Sequence, residues 1–374
     1  ALAGDGAKAR ALGAEGLVLA DAGSDSAFDA NARLTMGSVL CMGSSPDYEA
    51  ALDIFERAKA RGHARGVATF NRGVTLQRLG RFGEARDELT RALVIAADEQ
   101  RINLAASVHA QLAQQAIAEA RVALGREHGE RALQLQRRLG DRVRIKATHP
   151  RLAELAILAA DLDGAEHHLR EHAALVAAIG KPADERLHRR LVGLLACSRG
   201  DAWPWAPSGP ESTEWPVERG WAAWLEGHDD EARAHFDRAS TQSGPRDVGM
   251  AARGHIGLGL LALAREDVEA SRRHVEAAKE ARVAPRFGVA RQALAGLVAV
   301  AAGRWTDAEA VLGALRDFAR EMDGPLQQMW VVGMASALAG ARGEPDADDE
   351  AVALAAAYPQ CLELQRTLAR IAKG

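Results

Sequence analysis

The amino-acid sequence predicts an all-α protein, a solenoid of about nine antiparallel helical hairpins. Three observations lead to this prediction: a composition that favours helix, a glycine and alanine pattern that recurs along the chain, and an apolar spacing typical of helices. Alanine and leucine dominate the 374 residues, whereas β-branched residues are sparse and tyrosine occurs only twice. Intrinsic propensity therefore favours helix almost everywhere, and we expect no sheet.

The recurring pattern begins with a glycine that is followed five residues later by an alanine, as in Gly80 and Ala85. The glycine suits the end of a helix, and the alanine lets two helices approach closely. Twelve residues before that alanine stands another small or apolar residue. The spacing of 12 holds in five pairs, which are Gly73 and Ala85, Ala153 and Ala165, Gly220 and Ala232, Leu258 and Ala270, and Gly296 and Ala308.

The residues after each alanine define a second helix. Leu89 and Ala92 lie four and seven residues after Ala85, which places all three on one helical face. Successive alanines of this register are separated by 34 to 43 residues, apart from gaps of 80 and 67. The gap of 80 holds two units of about 40 residues, and 101–139 supplies the hidden one.

These offsets resemble the tetratricopeptide repeat, and the best single match is Gly73, Ala85, Leu89 and Ala92. Units nearer 40 than 34 residues resemble the tetratricopeptide arrays of the maltose-regulator type found in large bacterial regulators. The resemblance covers nearly the whole chain and implies a right-handed α-solenoid. Such motifs specify a fold and not a function.

One stretch interrupts the pattern. Residues 199–216 contain four prolines and three tryptophans, so a regular second helix cannot form there. We therefore expect an N-terminal array over 1–198, an insertion or joint over 199–216, and a C-terminal array over 217–374.

The resemblance also implies a groove lined by the first helix of each hairpin. The selected positions are Phe70, Val74, Gln77 and Arg78 in the best-matching unit and Trp221, Trp224, Leu225, Leu297, Val300, Trp330 and Met334 further along. This groove is expected to be apolar and aromatic, as binding surfaces often are. One hypothesis is that the five tryptophans between 203 and 224 form a single cluster facing the groove. The alternative is that they fill the space left by the interrupted unit.

One short string has the appearance of a catalytic motif. His168, Glu171 and His172 match the H-x-x-E-H pattern of inverted zinc peptidases, in which two histidines hold zinc and the glutamate acts as general base. The repeat register argues against this, because His172 falls at the position of Ala92 and should pack in the helix interface. No phosphate-binding loop or nucleophile elbow occurs in the sequence, so we expect no catalytic residue, metal or cofactor.

Charge and cysteine content narrow the class of partner. The formal charge is −4, and the basic side chains form no stripe suited to nucleic acid. Three distant cysteines indicate reduced thiols in a cytoplasmic protein, and no apolar run reaches the roughly 20 residues of a membrane span.

The sequence therefore predicts a non-catalytic module that binds a peptide, a partner protein or a small inducer on its concave face. We expect it to be the sensor or scaffold segment of a larger cytoplasmic bacterial signalling protein, with further domains outside this chain. The alternatives are a zinc-dependent hydrolase using 168–172 and a self-assembling scaffold.

Overall fold

The computed structural model describes residues 2–22, 26–42, 46–60, 65–204, 215–241, 249–280, 283–344 and 349–371. These ranges are all-α and contain no strand, as the sequence predicts. The helices are α1 (Leu2–Ala22), α2 (Ser26–Leu40), α3 (Tyr48–Lys59), α4 (Arg65–Arg78), α5 (Phe82–Asp98), α6 (Ile102–Glu119), α7 (Val122–Arg138), α8 (Arg142–Leu158), α9 (Leu162–Ile179), α10 (Pro182–Arg199), α11 (Pro216–Glu226), α12 (Asp229–Thr241), α13 (Met250–Leu263), α14 (Val268–Glu280), α15 (Pro285–Ala301), α16 (Trp305–Ala319), α17 (Pro325–Ala341), α18 (Asp349–Ala357) and α19 (Leu362–Ile371).

Many turns between helices share one geometry. Gly80, Gly227 and Gly303 have φ angles of 74°, 83° and 68°, the left-handed region that glycine adopts without strain. After Gly80, the backbone N–H of Arg81 donates to the carbonyl of Leu76 at 3.0 Å. This bond satisfies a carbonyl that the end of α4 would otherwise leave unpaired. The prediction that these glycines end helices is confirmed.

The same turn also occurs without glycine, which the sequence pattern does not reveal. Gln100, Ala120 and Ala160 have φ angles of 52°, 55° and 55°. They continue the 20-residue interval that begins at Gly80, so one helix and its turn occupy 20 residues in this part of the chain. The unit predicted over 101–139 is accordingly a pair of helices, α6 and α7.

The left-handed turn at Gln100 gives a matched pair of stability predictions. Gln100 is exposed, and its backbone has a φ of 52°, a left-handed conformation that is unfavourable for a residue with a Cβ atom. We expect Gln100→Gly to raise the free energy of unfolding by about 1 kcal/mol, and Gly80→Ala to lower it by a similar amount. Urea unfolding of both variants measures this. A loss of stability in Gln100→Gly would show that the turn depends on its side chain.

The chain forms two compact units. The first comprises Ala1–Gln115 and Glu127–Ile145, and the second comprises Ala116–Arg126 and Lys146–Gly374. The expected joint over 199–216 falls inside the second unit. There, α10 ends at Arg199 and α11 begins at Pro216. Residues 201–204 carry no helix, and 205–214 lie outside the described residues.

Small residues at the repeat positions allow neighbouring helices to pack closely. In the first unit, a Cβ added to Gly73 would lie 2.9 Å from Cγ of Leu89. In the second unit, a Cβ on Gly220 would lie 2.5 Å from the ring of Phe236. The side chain of Leu89 on α5 therefore packs directly against the backbone of α4, and that of Phe236 on α12 packs against the backbone of α11. Ala85 and Ala232 are completely buried, in agreement with their predicted role.

The second unit also contains contacts between segments far apart in sequence. The backbone N–H of Ala123 donates to Oδ2 of Asp323 at 2.9 Å, so a carboxylate caps the N-terminus of α7. Ser198 at the end of α10 donates to Oε2 of Glu363 on α19 at 2.6 Å. These bonds connect the segment before α17 to α7 and connect α19 to α10. A cavity lies between the helices of this unit.

Candidate functional site

The cavity in the second unit has a volume of about 150 Å³. Side chains from α8, α10, α11, α13, α15, α17 and α19 line it. The charged residues of its wall are Glu154, Arg190, Glu218, Arg253, Arg286 and Glu363, and the aromatic residues are Trp221, Phe287 and Trp330. Charged side chains are rare in protein interiors, so this combination distinguishes the cavity from the packed core around it.

One carboxylate joins two arginines on the cavity wall. Oε1 of Glu218 accepts from Nη2 of Arg190 at 2.9 Å and from Nη2 of Arg253 at 3.2 Å. The Glu218 side chain is only 6% exposed. Burial alone would raise its pKa, but the guanidinium groups of Arg253 and Arg190 outweigh burial and lower the pKa to about 2. Glu218 is therefore ionised at neutral pH.

A third arginine adds a second ion pair. Nη1 of Arg286 donates to Oε1 of Glu154 at 2.8 Å, and each side chain is 14% exposed. The guanidinium carbons of Arg253 and Arg286 lie 4.2 and 4.5 Å from the centre of the Phe287 ring. Both cations therefore stack on one aromatic side chain, an arrangement that favours positive charge.

Two of these guanidinium groups have unused donors. Nε of Arg253 and Nε of Arg286 are shielded from solvent and have no hydrogen-bond partner in the part of the chain that is described. Burial also lowers the pKa of Arg253, although Glu218 opposes this effect. Arginine nevertheless stays protonated in proteins. The cavity is therefore lined by two guanidinium groups whose Nε donors the described residues do not satisfy.

Tryptophans form the apolar side of the cavity. The ring of Trp221 lies 5.9 Å from that of Trp330, 5.3 Å from that of Trp224 and 5.4 Å from that of Phe236, all in edge-to-face arrangements. Such pairs are among the preferred geometries of aromatic side chains. Trp221 is half-buried, and Trp330 is 6% exposed.

The structure separates the groove residues predicted in the second unit into two sets. Trp221, Leu225 and Trp330 line the cavity. The others belong to the core or pack against it: Trp224 is 2% exposed, Leu297 7%, and Met334 is fully buried, whereas Val300 is half-buried. The second set supports the packing of the helices.

The predicted groove residues of the first unit are not among the residues that line this cavity. Phe70 packs against the cluster around Leu89, and Val74 is half-buried. Gln77 accepts a hydrogen bond from Gln111. Arg78 is exposed.

The tryptophans around the interruption form two groups. Trp203 and Trp215 contact each other with ring centres 6.2 Å apart, and the ring of Trp203 packs on α10 at Gly193. Trp221 lines the cavity, and Trp224 packs against it from within the core. Trp205, the remaining member of the hypothesised cluster, lies outside the described residues.

The histidines of the H-x-x-E-H string face different partners. His168 pairs with His149 through their Nδ1 atoms at 3.2 Å, and His172 pairs with His188 at 3.3 Å. His172 is 1% exposed, which confirms the prediction that it packs in the helix interface. Among the described residues, no three histidine, cysteine or acidic side chains are grouped to hold a metal ion.

Paired histidines are a recurring feature that the sequence reading missed. The four pairs, with Nδ1 atoms 3.0 to 3.3 Å apart, are His109 with His128, His149 with His168, His172 with His188, and His255 with His274. In three of the four pairs the two histidines are 19 residues apart, and this spacing is the only feature of the sequence that could have predicted the pairs. One ring must be neutral to accept the hydrogen bond.

The pairs predict loss of stability in mild acid. Burial, and then the partner ring, lower the pKa of His109, His168 and His172 from 6.5 to about 4. Between these values the unfolded chain binds more protons, so stability is complete above about pH 6.5 and decreases toward pH 4. We expect the melting temperature to fall between pH 7 and pH 5.

A variant tests whether the pairs cause this fall. H109Q/H128Q retains a polar contact but cannot titrate, so its melting temperature should fall less with pH than that of the unmodified chain. His228→Gln, at an exposed histidine, is the control and should leave the slope unchanged. An identical slope in all three proteins would contradict the assignment.

The cysteines do not form a reactive site. Cys41, Cys197 and Cys361 are free thiols, and the last two are buried. Burial raises the pKa of Cys197 and raises that of Cys361 to about 12, so both stay protonated.

The charged wall of the cavity was also absent from the sequence prediction. Its one local signal lies in α13, where Arg253 is the only lysine, arginine, aspartate or glutamate of a largely apolar helix. No protein-family model and no curated protein sequence matches the chain. None of the described helices is both long and apolar enough to cross a lipid bilayer.

Proposed function

We propose that this chain is a non-catalytic effector-binding module, built as a right-handed solenoid of tetratricopeptide type. In this proposal its second unit holds the effector in the cavity, and the chain is the sensor segment of a larger cytoplasmic bacterial regulatory protein. Occupation of the cavity would favour one arrangement of the surrounding helices and so change the state of a neighbouring domain.

The observation that supports this proposal is the buried pair of guanidinium groups with unsatisfied Nε atoms beside an aromatic wall. Ligand sites commonly combine apolar walls with a few polar groups at fixed positions. Seven helices contribute to the wall, so a bound molecule could contact helices that are far apart in the sequence. The close contacts at the repeated Gly and Ala positions explain how neighbouring helices pack. They do not require charged side chains in the cavity wall.

Thermal unfolding in the presence of small molecules tests the proposal. The panel contains sugars, amino acids, nucleosides, carboxylic acids and phosphate esters. We expect at least one class to raise the melting temperature by roughly 5 °C at a concentration well above its dissociation constant. Ala290→Leu, which adds volume at the cavity wall, should lose this response. No response from any class would contradict the proposal.

A further inference from the structure

We propose, resting on the function proposed above, that the ligand is a small monocarboxylic acid with one apolar or aromatic group, about the size of benzoate. Its carboxylate would accept hydrogen bonds from Arg253 and Arg286, and its apolar group would lie against Trp221 and Trp330. The charge of the wall, its unused donors and the volume of the cavity lead to this class.

The charges of the cavity wall favour a ligand with a single negative charge. Three arginines face two ionised glutamates, Glu154 and Glu218. The sixth charged residue is Glu363, whose pKa burial raises although its hydrogen bond with Ser198 opposes this. The ion pairs of the wall join the three arginines to Glu218 and Glu154, whereas Glu363 accepts a hydrogen bond from Ser198. Three positive charges therefore share two carboxylates in surroundings that water screens poorly. A monoanion balances the third positive charge, whereas a dianion would reverse the imbalance.

The unpaired Nε–H groups of two arginines favour a ligand that accepts hydrogen bonds. A buried N–H group without a partner costs free energy, and a charged donor costs more than a neutral one. The Nε atoms of Arg253 and Arg286 are both in this state, and both guanidinium groups stack on Phe287. Carboxylate is the acceptor that matches guanidinium in charge and geometry.

The size and the walls of the cavity call for an apolar group. A volume of about 150 Å³ is comparable to that of an engineered protein cavity known to take up benzene. Halide or formate would leave most of this space empty beside Trp221 and Trp330. An aromatic ring would fill it and could meet the tryptophans edge to face, as they meet each other.

Calorimetric titration of the unmodified chain with benzoate and with benzyl alcohol tests the inference. The two probes have similar size, and only benzoate carries a charge. We expect benzoate to bind and benzyl alcohol to bind roughly tenfold to a hundredfold more weakly, the ratio that a charge-assisted hydrogen bond supplies.

A double variant tests the site. R286Q/E154Q removes one charge of each sign and keeps a polar side chain at both positions, and it should reduce the preference for benzoate over benzyl alcohol. R272Q/E269Q, at an exposed ion pair on α14, is the matched control and should keep the preference. Circular dichroism of the free proteins checks folding. The two-ligand comparison does not depend on either variant.

The outcomes separate this inference from the proposed function. Equal binding of the two probes would overturn the carboxylate and leave an effector cavity. Binding of neither probe, while another class of the panel raises the melting temperature, would overturn the inference alone. An unchanged preference in R286Q/E154Q would place the carboxylate elsewhere. Failure of every ligand would overturn both proposals.

Discussion

Replacing Glu218 by glutamine is expected to lower the free energy of unfolding by about 3 kcal/mol. The side chain bonds to Arg190 and Arg253 and is 6% exposed, so glutamine would leave two cations facing each other without their shared carboxylate. The loss of one partner from a buried ion pair costs more than the pair itself contributes, because the remaining charge stays desolvated. Urea unfolding at pH 7 measures the difference.

An exposed pair provides the control for this prediction. Glu269→Gln removes the partner of Arg272, whose side chain is 60% exposed, and should leave stability nearly unchanged. Equal losses in the two variants would mean that water reaches Glu218 freely.

Replacing Gly254 by alanine is expected to lower the free energy of unfolding by about 2 kcal/mol. An added Cβ would lie 2.6 Å from the backbone nitrogen of Ser240 and 2.8 Å from the backbone oxygen of Phe236. These atoms belong to the body of α12 and cannot move aside like the end of a flexible side chain. The methyl group must therefore push α12 and α13 apart. Thermal and urea unfolding both report the change.

Gly313→Ala is the matched control. This glycine lies within α16, is exposed, and has no atom within 4 Å of an added Cβ. Alanine is favoured over glycine inside a helix, so this variant should gain up to about 1 kcal/mol. A gain in both variants would show that α12 and α13 are less tightly packed than these distances require.

The buried charges of the cavity wall lower the stability of the fold, and the packing of the helices does not require them. Apolar residues of similar volume often stabilise a protein more than a buried ion cluster does. Residues that depart from local rules of patterning commonly mark functional sites. Arg253, in the first turn of the largely apolar helix α13, is such a residue, and this is the physical basis for proposing that the cavity holds a ligand.

The sequence alone determined the helices and the way that neighbouring helices meet. Gly80 and Gly227 end helices because the left-handed turn depends on backbone freedom at a single residue. Gly73 and Gly220 accept a side chain from the following helix because residues 16 positions away are brought together by one short turn. Both effects are local, so a recurring spacing was sufficient to predict them. The left-handed turn at Gln100 was not predicted because glutamine is not typical of such a turn.

The tertiary structure decided where the charges meet. Arg286 and Glu154 are 132 residues apart, and no pattern in either segment specifies the other. His168 and His172 lie one turn apart on α9, yet each is paired with a histidine of another helix. Which distant side chains line the cavity depends on how all the intervening helices pack, and no local spacing specifies this. The recurring spacing therefore predicted the contacts between neighbouring helices, whereas only the folded chain shows which charges meet.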